Sequence, residues 1–285
     1  SRAGPSGSAR GASRRWNPTV DPYAQALVMG IVQGLTEFLP ISSSGHLILL
    51  PSLLGWDDPF IESLAFSVML HLGTLLALIG YFARDLLGLI PAAIGLVRER
   101  RIGDDPERRL VRNLALATLP AAVLGYLLND LVESTVRQPL VVALLLVVGA
   151  GILWLADRTS RRTAGLDAIS SRGAISIGIA QALALLPGVS RSGISIAMGL
   201  AIGLEREAAA RFSFLMATPI IAGAGLFELR RLVAGGEVTG TELGVVAVGF
   251  LAALLSGLIA IRFMLGYLRR HGLGIFVAYR LVLAV

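Results

Sequence analysis

Two short polar runs interrupt an otherwise apolar chain. Glu37, Ser42, Ser43, Ser44 and His46 lie within ten residues of one another, and Ser190, Arg191, Ser192 and Ser195 within six. A hydroxyl beside an imidazole and a carboxylate supplies a nucleophile with a general base. A guanidinium offers five donors in a planar fork and keeps its charge, which suits phosphate. Helices starting just after each Ser-Gly turn would aim free backbone N–H groups at the same place, and helix N-termini hold anions. The sum is an anion cradle fit for attack on a phosphorus ester. Ser and Gly also simply let helices pack closely, and the charged groups would equally make a structural ion pair.

What must position these residues is a membrane scaffold. The 285 residues are 55% apolar and 15% charged, with a mean hydropathy of +0.75, too greasy for a water-soluble domain of this length. The net charge of +6 comes from Arg without any Lys, and no basic stripe interleaved with aromatics appears. Nucleic acid is therefore not an expected partner. The absence of Cys excludes disulfides, thiolate nucleophiles and Cys-based metal sites. Residues 1–20 are polar and rich in Gly, Ser and Arg. They read as a disordered tail or cloning remnant without the apolar core of a signal peptide. Residues 21–285 then form a single membrane domain.

Apolar stretches at about 63–83, 110–128, 139–156, 208–228 and 243–264 approach the roughly 20 residues needed to cross a bilayer. A sixth, from 273 to 285, is shorter. Residues 23–54 and 173–203 are apolar but broken by polar residues, Gly and Pro. Their arms are too short to span, about 14 Å for 46–54 and about 22 Å for 173–187 as helices. Irregular backbone at membrane depth is tolerated only inside protein or beside a wet cavity. The expected fold is thus an all-α polytopic membrane protein, with about six transmembrane helices and two re-entrant helical hairpins.

Loop charge orients the spans. Segments 98–112, 157–172 and 265–272 carry six, four and two Arg, which places them in the cytoplasm. Segments 129–138 and 229–242 and the loop with Asp57, Asp58 and Glu62 fall outside. The two hairpins then enter from opposite faces. At a constant offset of 148, QGLTEFLPISSSG (33–45) aligns with QALALLPGVSRSG (181–193), and Phe66-Ser67 matches Phe212-Ser213 at 146. This predicts an inverted-topology repeat, approximately 21–97 and 173–232, with the site at the broken helices near the midplane.

The residues at these two breaks resemble the bacterial undecaprenyl pyrophosphate phosphatases, and the resemblance covers roughly 23–285. Its first motif is carried by Gln33, Glu37, Pro40, Ser42, Ser43, Ser44, Gly45 and His46, and its second by Pro187, Gly188, Ser190, Arg191, Ser192 and Ser195. Ser195 stands where the family usually has Thr, and Gln33 where it often has Glu. The resemblance implies hydrolysis of undecaprenyl pyrophosphate to undecaprenyl phosphate and inorganic phosphate, in the recycling of a cell-wall lipid carrier. It implies a bacterial plasma membrane location, a cavity opening outward and a role in bacitracin resistance. In this reading Ser43 attacks the terminal phosphorus and His46 takes its proton, or His46 is itself the nucleophile. Glu37 with Gln33 holds a divalent cation, Mg2+ or Ca2+, or Glu37 orients His46. Ser42, Ser44, Ser190, Arg191, Ser192 and Ser195 bind the phosphates. A homodimer is compatible with all of this, and the oligomeric state stays open.

A transporter or flippase for the lipid carrier is the rival function, because opposed hairpins are also what alternating access uses. A second lipid-phosphatase type with Ser-Gly-His and Ser-Arg motifs needs a downstream His and Asp, and none lies between Arg191 and Phe214. Outside the two breaks, His71 reads as a helix-packing imidazole and Arg280 as a side chain reaching for the membrane surface. His271 belongs to a cytoplasmic loop, and Asp57 and Glu62 to a surface loop.

Overall fold

The computed structural model describes residues 20–135, 138–235 and 240–285. The expected N-terminal tail, apart from its last residue, and residues 136–137 and 236–239 of the two expected outer loops lie outside the described residues; most of the remainder of those loops is helix. Among the described residues the chain is helical, with one isolated bridge between Ala164 and Leu204 and no strands. It is an all-α polytopic membrane protein.

The helices are α1 (Pro22–Phe38), α2 (Ser43–Leu54), α3 (Leu64–Tyr81), α4 (Ala83–Glu99), α5 (Pro106–Thr135) and α6 (Pro139–Thr159), followed by α7 (Ser171–Ala182), α8 (Arg191–Ala201), α9 (Arg206–Gly235), α10 (Gly240–Leu268) and α11 (Gly274–Leu283). Five of them, α3, α5, α6, α9 and α10, are long and apolar enough to cross a membrane. They coincide within a few residues with the five expected spans. The sixth expected span is the ten-residue helix α11, about 15 Å long at the usual rise.

Local chemistry sets the ends. Asp21 caps α1, accepting from the Ala24 N–H at 3.3 Å, with Pro22 in the first turn, where a missing N–H costs nothing. Ser63 caps α3 and Ser170 caps α7 through their hydroxyls. Helix α2 stops at Gly55, whose φ of 65° is the left-handed geometry that favours glycine. Helix α4 was not anticipated. Its apolar side chains Leu87, Ile90, Ile94 and Val97 are exposed and recur at helical spacing, as in a helix resting at a lipid surface.

Each hairpin is held by a long helix from the other half of the chain. α1 packs chiefly along α10, and α7 along α5. Gly30 and Gly178, again 148 apart, are the contact points. A Cβ on Gly30 would strike the Gly249 carbonyl, and one on Gly178 the Ala117 carbonyl. Such close backbone approach is how small residues bind helices where lipid removes the hydrophobic drive. Ion pairs collect at one end of the bundle. Asp157 accepts from Arg206 at 2.6 Å and from the Leu273 N–H at 3.0 Å, and Arg269 donates to Glu207 at 2.6 Å.

Candidate active site

The two turns are built alike. Ser42 and Ser190 have φ of 72° and 75°, a region costly for any residue with a Cβ. Each caps the helix that follows, its hydroxyl accepting from the N–H of Gly45 at 3.3 Å or Gly193 at 3.1 Å. Each also shares a hydrogen bond with the hydroxyl two residues on, Ser44 at 3.3 Å and Ser192 at 3.2 Å. The N-termini of α2 and α8 therefore face one polar cavity of about 210 Å3, lined by Ser42, Ser43, Ser44, Ser190 and Arg191 with Glu37 beside them.

Arg280 joins the turns from behind. It is fully buried, and its guanidinium donates to the carbonyls of Pro40 (3.3 Å), Gly188 (2.7 Å), Val189 (3.0 Å) and Leu146 on α6 (3.1 Å). Pro40 and Gly188 are equivalent positions of the 148-residue offset. The expectation that Arg280 reaches the membrane surface is thus corrected: α11 packs on α6, and four carbonyls replace water around the charge. Buried ionic groups persist only when hydrogen-bonded in this way.

Glu37 is the centre of the cavity's chemistry. One carboxylate oxygen, Oε1, accepts from Arg191 across the two hairpins. The other, Oε2, accepts from the Ser43 hydroxyl at 2.6 Å and from Gln33 Nε2 at 3.1 Å, and lies 3.7 Å from His71 Nε2. The side chain is almost wholly buried, so these donors replace its hydration. A hydroxyl donating to a buried carboxylate is poised to lose its proton to it as it attacks.

The structure corrects three expectations. His46 does not pair with Ser43. Its Nδ1 donates to the Ser42 carbonyl at 2.7 Å, its Nε2 meets the Tyr279 hydroxyl at 2.8 Å, and the two rings stack. With both nitrogens engaged, the imidazole braces the first turn against α11. Ser192 and Ser195 do not line the cavity. Ser192 donates to the Leu39 carbonyl of the first turn at 3.0 Å, and Ser195 donates to the Arg191 carbonyl and shares a hydrogen bond with the Ser213 hydroxyl, both at 2.6 Å. His71, taken for a packing residue, instead lines the cavity. Its Nδ1 donates to the Ser67 carbonyl, which turns Nε2 toward Glu37.

A second, mostly apolar cavity of about 540 Å3 adjoins the first and shares Ser44, His71, Arg191 and Ile220 with it. Leu47, Ile48, Phe66, Leu70 and Ile221 are among its walls, and Glu62 lines it too. An acyl or prenyl chain would find apolar contact there, next to the polar cradle.

Among the described residues no three His, Cys, Asp or Glu cluster as a metal site. A hard cation needs oxygen ligands, however, and Gln33 Oε1 is a buried acceptor without a donor, on the side chain that bonds Glu37. Glu37 and Gln33 thus fit half of such a site.

Comparison with known proteins places this arrangement. The chain is 46% identical over 263 residues to undecaprenyl-diphosphatase of Alcanivorax borkumensis, covering 92% of this chain and 97% of the relative. It is 47% identical over 266 residues to undecaprenyl-diphosphatase of Desulforudis audaxviator, covering 93% and 96%. The enzyme of the same name from Gemmatimonas aurantiaca is 47% identical over 261 residues, covering 92% and 95%. The family described as bacitracin resistance protein BacA matches residues 26–285, and the chain belongs to that family.

Proposed function

We propose that the chain hydrolyses undecaprenyl pyrophosphate to undecaprenyl phosphate and inorganic phosphate, with Ser43 as nucleophile and Glu37 as its base. The observation that carries this reading is the 2.6 Å hydrogen bond from Ser43 to a carboxylate that Arg191 grips from the other hairpin. The relatives' shared name gives the substrate its chemical class.

Ser43 Oγ attacks the terminal phosphorus and passes its proton to Glu37. The bond from that phosphorus to the bridging oxygen breaks, and the lipid phosphate leaves. This leaving group is itself a phosphate, so it departs without being protonated. Glu37 gives that proton up to water in the cavity. A water molecule then attacks the phosphoserine, Glu37 takes a proton from it and returns it to Ser43 Oγ as the Oγ–P bond breaks, and inorganic phosphate leaves. Arg191 holds the transferring group's oxygens in both steps, where charge is spread over them and positioning does most of the work. His71 Nε2, close to Glu37 and facing both cavities, is placed to hold the attacking water.

One Arg paired to one Glu leaves the cradle without net positive charge for a diphosphate. Glu37 and Gln33 would hold a divalent cation, Mg2+ or Ca2+, whose chemistry is to neutralise charge on the phosphate oxygens. The prenyl tail lies in the apolar cavity beneath Phe66 and Ile221. The two halves are inverted repeats in a bacterial plasma membrane, with the cavities open to the outer face.

Purified protein in detergent should release phosphate from undecaprenyl pyrophosphate, and chelation should slow it. Ser43→Ala and Glu37→Gln should each lose on the order of 10^3-fold or more in kcat. Full activity in Ser43→Ala would remove the serine mechanism. No release by the native protein would favour a transporter, which needs sealed compartments and breaks no bond.

A further inference from the structure

The two repeats carry the same glutamine in different circumstances. Gln33 on α1 donates to Glu37, one helical turn on. Its counterpart at the 148-residue offset is Gln181 on α7, and the residue one turn on is Leu185. The amide has therefore lost the partner it has in the first copy. Gln181 is only 2% exposed, and neither Nε2 nor Oε1 has a hydrogen-bond partner among the described residues. It lines the polar cavity that holds Glu37, Ser43 and Arg191. A buried amide with both ends unpaired costs free energy. Such a group is explained by a ligand that completes it.

The remaining donors identify that ligand. The Ser43 hydroxyl is committed to Glu37, and Ser42 and Ser44 share one hydrogen bond. Beside the backbone N–H groups of the two helix N-termini, Arg191 and the Gln181 amide are the nitrogen-bearing donor side chains that line the cavity. The terminal phosphate carries more charge and suits the guanidinium. The phosphate esterified to the lipid carries less, and a neutral amide suits it.

We propose that Gln181 binds the lipid-linked phosphate of the substrate, Nε2 donating to one of its oxygens, so that the terminal phosphorus is presented to Ser43. This rests on the hydrolytic reading above. Gln181 touches substrate without taking part in bond making, so its loss weakens binding of anything that keeps the lipid-linked phosphate.

The test uses the full chain in detergent with farnesyl diphosphate as substrate and farnesyl phosphate and inorganic phosphate as inhibitors. Gln181→Met should raise KM for the diphosphate and the inhibition constant of farnesyl phosphate by about 10- to 100-fold, the usual worth of one hydrogen bond to a charged group. The inhibition constant of inorganic phosphate should not change. The ligand-free variant should melt at a higher temperature than the native protein, because the unpaired amide is gone. A structural role predicts the opposite, a lower melting temperature with both inhibition constants unmoved, and that result would overturn the assignment. An unchanged KM would overturn it as well. Should the Met variant not fold, Gln181→Glu keeps the shape and reverses the donor, and it must raise both constants at least as far. Native protein that releases no phosphate defeats the hydrolytic reading itself, which separates the two failures.

Discussion

The first and second Ser-Gly turns share their scaffolding and differ in their chemistry. Ser42 and Ser190 take the same left-handed backbone and cap the same glycine three residues on. Pro40 and Gly188 present their carbonyls to the same arginine, Arg280. The positions between and beside these have parted. Ser43 corresponds to Arg191, Glu37 to Leu185 and His46 to Ile194. Positions alike in both copies build the turn, and in the proposed mechanism three positions that differ supply nucleophile, base and cation. Hydroxyls shared by both motifs are thus weak evidence for catalysis, and a residue present in one copy only earns a catalytic role when it also reaches the cavity, as Ser43, Glu37 and Arg191 do and His46, held by Ser42 and Tyr279, does not.

The largest way to break this comparison is to remove the cation. Arg191→Ala should lower kcat by roughly 10^3-fold, as for loss of a donor to a transferring group in a dry site. Arg191→Lys should recover only part of it, because a point charge cannot grip Glu37 and a phosphate with one planar fork. Steady-state phosphate release measures both, and a Lys variant equal to the native protein would show that charge alone suffices.

A smaller effect on rate and a larger one on stability is expected at Arg280. Arg280→Met strips donors from four buried carbonyls, each costing about 1–3 kcal/mol when left unpaired. The melting temperature should fall by several degrees, with kcat falling and KM nearly constant, since both turns lose their common anchor. A variant with native stability would show that the turns hold themselves.

The smallest effect is at His46. His46→Gln keeps an amide donor for the Ser42 carbonyl, so most activity should survive, within about tenfold, and the pH–rate profile should keep its shape. A general base would cost about 10^2- to 10^4-fold and remove a limb of the profile. Either change would return His46 to the chemistry.

Much of this was legible in the chain. The five spans were visible because lipid imposes long apolar runs, and both turns because Ser, Gly and Pro break such runs at fixed places. What escaped depends on contacts between distant residues. Arg280 lies near the end of a short apolar helix, where a surface-seeking side chain is the ordinary reading. Only the packing of α11 on α6 brings it to Pro40 and Gly188. His71 is one polar residue in a long span, and its neighbour Glu37 sits on another helix. Helix α4 escaped because its Arg-bearing end merged with the charged segment that follows. The Gln33–Gln181 match was visible as a repeat, but only the fold shows that one amide is paired and the other is not.

In the proposed mechanism the chemistry sits on the first hairpin, at Ser43, and the grip on the second. Rapid acid quenching of the enzyme with substrate labelled in its terminal phosphate, followed by peptide mapping, tests it most directly. A serine nucleophile leaves an acid-stable phosphate on the peptide containing Ser43, absent from Ser43→Ala and diminished in Arg191→Ala. An acid-labile label on the peptide of His46 or His71, or turnover in Ser43→Ala at the native rate, would contradict it.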